Sequence, residues 1–327
     1  MITILGAGSI GCYLGGRLIE GGADVRLLGR ARFADAIAAN GLTLTETGRE
    51  PVALTDLNFR TDEAALAGSS VVALCTKSQD TVHAARLIAQ HCPDAHVVSF
   101  QNGIANLPVL REHVANLSGS VVPFNVTSPA PGHFHRGTDG DLVIGPNAPT
   151  ELTDALEKAG VGFQVVDAVE PFLWAKLLVN LNNALNALWG GSLRDGLLQR
   201  GYRRVLIAMI NEGLAVAKAE GTDVATFNGR APAQFVSLMA KPDWLYRLIM
   251  DRVVKIDRTA RSSMLDDLEL GRASELDHLQ GEIVRRGERL GVPTPVNRAV
   301  MEATLNAFQN AKTPRLSGAQ MQEMFLK

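Results

Sequence analysis

In the first half of the chain, short β-branched or apolar runs alternate with stretches whose apolar positions recur at helical spacing. This is the pattern of a parallel sheet flanked by helices. The runs predict strands at Ile2–Leu5, Val25–Leu28, Val71–Cys75, Val97–Phe100, around Ser120–Asn125, at Leu142–Ile144 and at Gly162–Val166, and the first four fit a βαβ succession. Between Val126 and Pro146, Pro129, Pro131, Gly132, Gly137, Gly140 and Gly145 punctuate short extended pieces. They predict antiparallel hairpins that complete the same sheet. From Glu170 onward strand-like runs vanish, and apolar residues such as Val205, Ile207, Ala208, Ile210, Leu214 and Ala217 follow helical spacing. The expectation is an α/β domain with a parallel sheet over residues 1–168 and an all-α domain over residues 169–327. The boundary falls near Asp167–Val169, where the last strand hands over to Pro171 at a helix start.

Composition agrees with two domains, since 327 residues exceed the size at which one core usually stops growing. The 46% hydrophobic and 20% charged fractions belong to an ordinary globular protein. A net charge of −2 and a pI near 6.4 give no bulk attraction for nucleic acid. No window approaches the ~20 uninterrupted apolar residues a membrane span needs, so no membrane partner is expected. The start Met1-Ile2-Thr3-Ile4-Leu5 lacks the basic n-region of a secretory signal, which places the expected location in the cytoplasm. Cys12, Cys75 and Cys92 are odd in number and unpaired by spacing, and they read as reduced core thiols rather than metal ligands.

The first chemistry-bearing motif follows the first predicted strand directly. Gly6-Ala7-Gly8-Ser9-Ile10-Gly11 stands between Ile2–Leu5 and a helix-like stretch Cys12–Ile19, with a second strand at Val25. In a Rossmann domain Gly6 permits the tight turn, Gly8 lets backbone approach a pyrophosphate, and Gly11 lets the helix pack on the strand. The helix N-terminus, beginning at Ser9 and Ile10, then faces the anion. An NAD-selective site usually ends its second strand with a carboxylate for the ribose hydroxyls, but here the sequence reads Leu27-Leu28-Gly29-Arg30. Arg30 offers a planar cation for a 2′-phosphate, so the expected cofactor is NADP, with Arg32 able to share that task. Two further loops, Thr76-Lys77-Ser78 and Gln101-Asn102-Gly103, leave the ends of predicted strands. Lys77 there is either a phosphate or ribose contact or a solvated lysine, and Asn102 either a ribose or substrate contact or a turn residue.

Reducing a ketone with a nicotinamide also needs a proton donor and groups that hold the substrate. In the stretch Trp174-Ala175-Lys176-Leu177-Leu178-Val179-Asn180-Leu181-Asn182-Asn183, Lys176, Asn180 and Asn183 are spaced to share one helix face. Buried without partners they would be costly, whereas a cleft facing the cofactor would satisfy them. Apolar neighbours would also lower the lysine pKa toward a useful value. The competing reading is a lysine whose ammonium snorkels to solvent.

The whole chain resembles the ketopantoate reductase (2-dehydropantoate 2-reductase) family. The likeness rests on Gly6–Gly11, Cys75-Thr76-Lys77, Gln101-Asn102-Gly103, Trp174-Ala175-Lys176-Leu177 with Asn180, Ser262-Ser263-Met264-Leu265-Asp266-Asp267, Gly271-Arg272-Ala273-Ser274-Glu275-Leu276-Asp277, and Gly291 through Asn297. It implies NADPH-dependent reduction of a small 2-oxo acid, with ketopantoate the first choice. It also implies Lys176 as general acid, Glu275 orienting Lys176 or the substrate hydroxyl, Asn180 on the oxo or hydroxyl group and Ser263 on the carboxylate. Lys77 and Asn102 become cofactor or substrate contacts.

One departure is informative. Ala184 stands where the family usually has a second substrate asparagine, leaving Asn183 or Asn186 to substitute, with Asn183 nearer the right face. A paralogous reductase or dehydrogenase of another 2-oxo or 2-hydroxy acid, and a non-catalytic dinucleotide sensor, are the alternatives. Trp189, Gly190 and Gly191 can support either a homodimer or an interdomain core. Ser263 and Glu275 would stand ~18 Å apart on an unbroken helix. The site therefore requires a turn near Gly271–Ser274, with Ser274-Glu275-Leu276-Asp277 expected to form a capping box.

Overall fold

The computed structural model describes residues 1–226, 229–252 and 260–326. They form two compact units, Met1–Val169 and Glu170–Lys327. In the first unit the order is β1 (Ile2–Leu5), α1 (Ser9–Glu20), β2 (Val25–Leu28), α2 (Ala31–Asn40), β3 (Leu42–Glu46), β4 (Arg49–Leu54), β5 (Phe59–Arg60), β6 (Val71–Leu74), α3 (Thr81–His91), β7 (His96–Ser99), α4 (Asn106–Arg111), β8 (Leu117–Val121), β9 (Val126–Ala130), β10 (His133–Arg136), β11 (Leu142–Ile144), α5 (Thr150–Lys158) and β12 (Phe163–Val165).

The main sheet runs β12-β11-β8-β7-β6-β1-β2-β5. It is parallel from β8 to β5, and β11 turns antiparallel against β8. β1 and β6 are buried along their whole length, as strands covered on both faces must be, which explains their unbroken apolar sequences. The chain leaves β1 toward β2 on one side and returns at β6 on the other. That reversal opens a crevice at the carboxyl ends of β1 and β6.

The structure corrects the expectation for Val126–Pro146. Only β11 joins the main sheet, while β9 and β10 form a hairpin in a separate sheet ordered β4-β3-β10-β9, in which β10 lies parallel to β3. The signal for the partner strands is Leu42-Thr43-Leu44-Thr45, whose alternation buries Leu42 and Leu44, followed by a turn at Gly48. This second sheet grips α1. Arg17 of α1 is fully buried and pairs with Glu20 at 2.8 Å and with Glu46 of β3 at 2.9 Å. The Tyr13 hydroxyl donates to Glu46 at 2.8 Å. A buried guanidinium tolerates loss of water only when so paired, and the pairing fixes the helix that starts at the glycine turn. The strand expected around Ser120–Asn125 instead ends at Val121, because Pro123 has no N–H for a ladder.

The second unit contains α6 (Glu170–Asn180), α7 (Asn182–Trp189), α8 (Leu193–Leu198), α9 (Arg200–Ala219), α10 (Pro232–Met239), α11 (Asp243–Arg252), α12 (Ser263–Glu269), α13 (Leu276–Leu290), α14 (Pro295–Gln309) and α15 (Gly318–Phe325). Its described elements are helices, and the fold is the α/β plus all-α arrangement that the periodicities imply. The long α9 organises the others through two polar anchors, the buried Arg203 and the half-buried Glu212. Arg203 donates to the carbonyls of Leu197 and Met239, each at 2.9 Å, and pairs with Asp243 at 2.6 Å. Glu212 accepts the backbone N–H groups of Val296 and Asn297 at 2.8 and 2.9 Å, which places a carboxylate on the positive end of α14. No described helix is long and apolar enough to cross a membrane.

Candidate functional site

The residues expected to bind a dinucleotide meet at the crevice of the first unit. Gly6 turns the chain out of β1 with φ at +99°, a conformation that favours glycine. A Cβ there would also stand 2.6 Å from the backbone N of Thr76, so the turn lies directly on the loop after β6. A Cβ on Gly11 would meet the Gly6 carbonyl at 2.5 Å, which explains the close packing of α1 on β1. Gly8 differs, because a Cβ there would have only the Gly6 carbonyl at 3.9 Å nearby. The space over Gly8 is open. No side chain caps the N-terminus of α1, which leaves the N–H groups at Ser9, Ile10 and Gly11 directed at that space. These features fit the pyrophosphate of a dinucleotide.

The end of β2 supplies the second part. Gly29 lies against Ala7, where a Cβ would stand 2.9 Å from the alanine methyl, so the chain leaving β2 passes beside the glycine turn. Arg30 follows as the exposed N-cap of α2, and it makes no side-chain hydrogen bond or ion pair with the described residues. No carboxylate stands at this strand end. The Arg32 guanidinium lies 4.7 Å above the ring of Phe33.

Lys77 and Asn102 come from the ends of β6 and β7, neighbouring strands, and their loops are tied together from beneath. Gln101 Nε2 donates to Thr76 Oγ1 at 3.1 Å, to the Thr76 carbonyl at 3.2 Å and to Thr81 Oγ1 at 2.9 Å. Asn106 Nδ2 donates to the Asn102 carbonyl at 2.6 Å and to Ser78 Oγ at 3.1 Å. Gln101, Thr81, Asn106 and Ser78 are buried, whereas Asn102 is exposed and Lys77 half-buried. Sequence reasoning singles out Asn102 and passes over Gln101 and Asn106. The available signal is a pair of amides beside the apolar run that ends at Phe100.

In the second unit Lys176 lies on the more open stripe of α6, shared with Phe172 and Val179, while Leu173, Trp174, Leu177 and Leu178 are buried. Burial pulls the Lys176 pKa down from an ordinary lysine's 10.5 to about 8. Asn180 is buried at the last residue of α6. α6 ends at Asn180 and α7 starts at Asn182, but Leu181 between them keeps helical dihedrals (φ −56°, ψ −27°) and its N–H donates to the Leu177 carbonyl at 3.1 Å, so the helical path runs on through the junction that Lys176, Asn180 and Asn183 flank. Gln280 of α13 explains the junction, since its Nε2 donates to the Leu181 carbonyl at 2.9 Å. A side-chain amide thus satisfies backbone that the helix leaves behind.

The requirement for a turn before Glu275 is met: α12 ends at Glu269, Gly271 takes φ +61° and α13 begins at Leu276. The expected capping box does not form. Glu275 itself is the N-cap of α13, and no side chain caps that end. Ser262 rather than Ser263 caps α12, its Oγ accepting from the Leu265 N–H at 3.2 Å, which leaves Ser263 as the first helical residue. Ser262 also donates to the Asn183 carbonyl at 3.3 Å and, through its N–H, to Asn186 Oδ1 at 2.9 Å, so the start of α12 and α7 are held together. Asn186 is consumed by this bond and by its own donation to the Gly191 carbonyl at 2.9 Å, and it is fully buried. It is therefore a structural residue, and Asn183, half-buried with its side-chain amide making no hydrogen bond to the described residues, is the one that can meet a ligand. Ala184 is fully buried. The described part of the chain contains no cluster of side chains able to hold a metal ion, and its three cysteines are free thiols.

Comparison with known proteins identifies the family. Residues 2–149 match the family model described as "Ketopantoate reductase PanE/ApbA", and residues 168–307 match the model for its C-terminal part. A 2-dehydropantoate 2-reductase of Halobacterium salinarum is 28% identical, with 92% of this chain and 96% of the relative covered. One from Pyrobaculum aerophilum is 30% identical, with 75% and 78% covered. Among solved structures, a PanE/ApbA family ketopantoate reductase from Ralstonia eutropha JMP134 superposes with a TM-score of 0.82 at 32% identity, covering 95% of this chain and 99% of that one.

Proposed function

The chain belongs to the ketopantoate reductase family, and from that premise we propose that it reduces a small 2-oxo acid, 2-dehydropantoate first among them, to the 2-hydroxy acid with NADPH. The observation that carries this reading is Lys176, a half-buried ammonium among the buried Leu173, Trp174, Leu177 and Leu178 of α6, whose pKa, lowered by burial to about 8, suits proton donation near neutral pH. Bound in the crevice of the first unit, NADPH supplies the hydride. Every other task falls to side chains. Lys176 Nζ gives its proton to the oxygen as the carbonyl becomes an alkoxide. Glu275 orients Lys176 or the substrate hydroxyl. Asn180 and Asn183 hydrogen-bond the oxo and hydroxyl groups, Ser263 holds the carboxylate, and Lys77 and Asn102 contact cofactor or substrate. Arg30 receives the 2′-phosphate, and the amides of Gly8 to Gly11 receive the pyrophosphate.

Two measurements probe this assignment. Lys176 must be protonated to serve as acid, so kcat/KM for reduction should be level below pH 8 and fall with rising pH through about 8. The reverse oxidation should gain rate across the same interval. Profiles without an inflection in that region would remove Lys176 from the role. Arg30→Asp should lower the preference for NADPH over NADH by about tenfold or more, because a charge-assisted contact is replaced by repulsion. An unchanged ratio of affinities would show that Arg30 does not read the phosphate.

Ala184 favours a second reading of the substrate. Fully buried and apolar, it offers nothing to a distal hydroxyl, so the same chemistry would run on a different 2-oxo acid. A panel of 2-oxo acids compared by kcat/KM at fixed NADPH separates the two. Ketopantoate far ahead of the others supports the first reading, and another acid ahead supports the second.

A further inference from the structure

We propose that the buried relay Gln101–Thr81–Asn106 is the positioning device of the dinucleotide site, setting Lys77 and Asn102 without touching the ligand. The inference rests on the reading that the first unit binds NADPH, and it goes beyond that reading by assigning the residues that hold the binding loops.

The relay has a defined direction. Gln101 Nε2 faces the carbonyls of Thr76 and Lys77 at 3.2 and 3.5 Å, which can only accept, so its amide cannot be turned over. Its Oε1 accepts from Ser99 Oγ at 3.1 Å, inside the sheet. The Asn106 amide is fixed in the same way, because its Nδ2 faces the Asn102 carbonyl at 2.6 Å. Thr81 stands between the two amides. Its Oγ1 accepts from Gln101 at 2.9 Å and lies 2.9 Å from Asn106 Oδ1 and 2.8 Å from the Ser78 carbonyl, either of which can take its proton. Ser78 Oγ closes the circuit with a 2.9 Å bond to the Asn102 carbonyl. Each of these side chains is buried, and linked bonds of this kind strengthen one another away from water.

The placement of the acceptors is what argues for positioning rather than for packing alone. They are the backbone and hydroxyl groups of Thr76, Lys77, Ser78 and Asn102, which are the two cofactor loops themselves. The Thr76 backbone in turn abuts Gly6 so closely that no Cβ fits between them. The relay therefore gauges three loops against one another: the glycine turn after β1, the Lys77 loop after β6 and the Asn102 loop after β7. A binding contact misplaced by a fraction of an ångström loses much of its value, so residues that fix such loops act on affinity through them.

The test uses Thr81→Val, which keeps shape but removes the hydroxyl, and Thr81→Ser, which keeps the hydroxyl, with NADPH affinity read by nicotinamide fluorescence. Thr81→Val should raise the Kd about tenfold and Thr81→Ser less than about twofold. In a Lys77→Ala/Asn102→Ala background, the effect of Thr81→Val should shrink below about twofold, because the residues it positions are gone. Asn106→Asp, which removes the donor to Asn102 and keeps the acceptor for Thr81, should repeat the tenfold loss should the valine variant not fold. An unchanged Kd in Thr81→Val or Asn106→Asp overturns the inference. So does a tenfold effect that persists undiminished in the background lacking Lys77 and Asn102, since that would mark a general structural role. Failure of the unsubstituted protein to bind NADPH would instead overturn the reading beneath it, and the inference with it.

Discussion

Lys176→Ala should lower kcat for 2-oxo acid reduction by about 10²-fold or more while leaving NADPH affinity within about twofold. The proton that completes the alcohol comes from this ammonium, and water is a poor replacement for a positioned acid. The cofactor contacts assigned above lie in the first unit, so binding should survive. Stability gives an independent control whose sign follows from the lowered pKa. In the unfolded chain Lys176 titrates near an ordinary lysine's 10.5 and in the folded protein near 8. Below pH 8 the ammonium is charged in both states, and the folded one bears its desolvation in full. Between about pH 8 and 10.5 the folded state releases its proton first, so the contribution of this site to stability improves as pH rises. At pH 7 the alanine variant should therefore melt no more than a degree or two below the unsubstituted protein. A variant that lost NADPH affinity as severely as turnover would show that Lys176 serves the cofactor rather than the proton transfer.

The glycine turn yields the second large effect, because two glycines of one motif should fail in opposite ways. A methyl at Gly8 meets nothing closer than 3.9 Å, so Gly8→Ala should fold and melt like the parent. The same methyl would occupy the space assigned to the pyrophosphate and cost about 2 kcal/mol of its charge-assisted bonds, roughly a 30-fold loss of NADPH affinity. A methyl at Gly11 would stand 2.5 Å from the Gly6 carbonyl. Gly11→Ala should therefore cost stability first, on the order of 1–3 kcal/mol, as α1 is pushed off β1. Calorimetry and NADPH titration on both variants check the contrast. Normal affinity in Gly8→Ala would mean that the open space above Gly8 is not where the anion lies.

What could be read from the sequence and what could not divides along the range of the interactions. The glycine turn and the strands Ile2–Leu5, Val25–Leu28 and Leu142–Ile144 are encoded by adjacent residues, and so they are legible. The interruption between α12 and α13 could also be inferred, since Gly271 offers a left-handed end and geometry forbids a straight helix through Ser263 and Glu275. The second sheet is a different case. Its β10 pairs in parallel with β3, some 90 residues earlier in the chain, so the hairpin after Val126 looks like an extension of the main sheet until Leu42–Leu54 is recognised as its partner. A shorter separation, 25 and 20 residues, is enough to hide Gln101, whose amide is useful only because Thr76 and Thr81 fold back onto it. Long range also hides the role of Gln280, which bonds the Leu181 carbonyl from 99 residues away. Ser274 misleads for a local reason: the box motif is present, but the N-cap falls one residue later, at Glu275, with α13 beginning at Leu276, and the serine is left outside.

On the proposed function, this chain moves a hydride from NADPH to a 2-oxo acid. The decisive experiment follows NADPH consumption and the appearance of 2-hydroxy acid together, with ketopantoate as the first substrate and other 2-oxo acids after it. Stoichiometric loss of NADPH and gain of hydroxy acid, with at least one substrate, is the predicted result. Tight NADPH binding with no turnover of any 2-oxo acid would contradict it and make the protein a sensor of the dinucleotide.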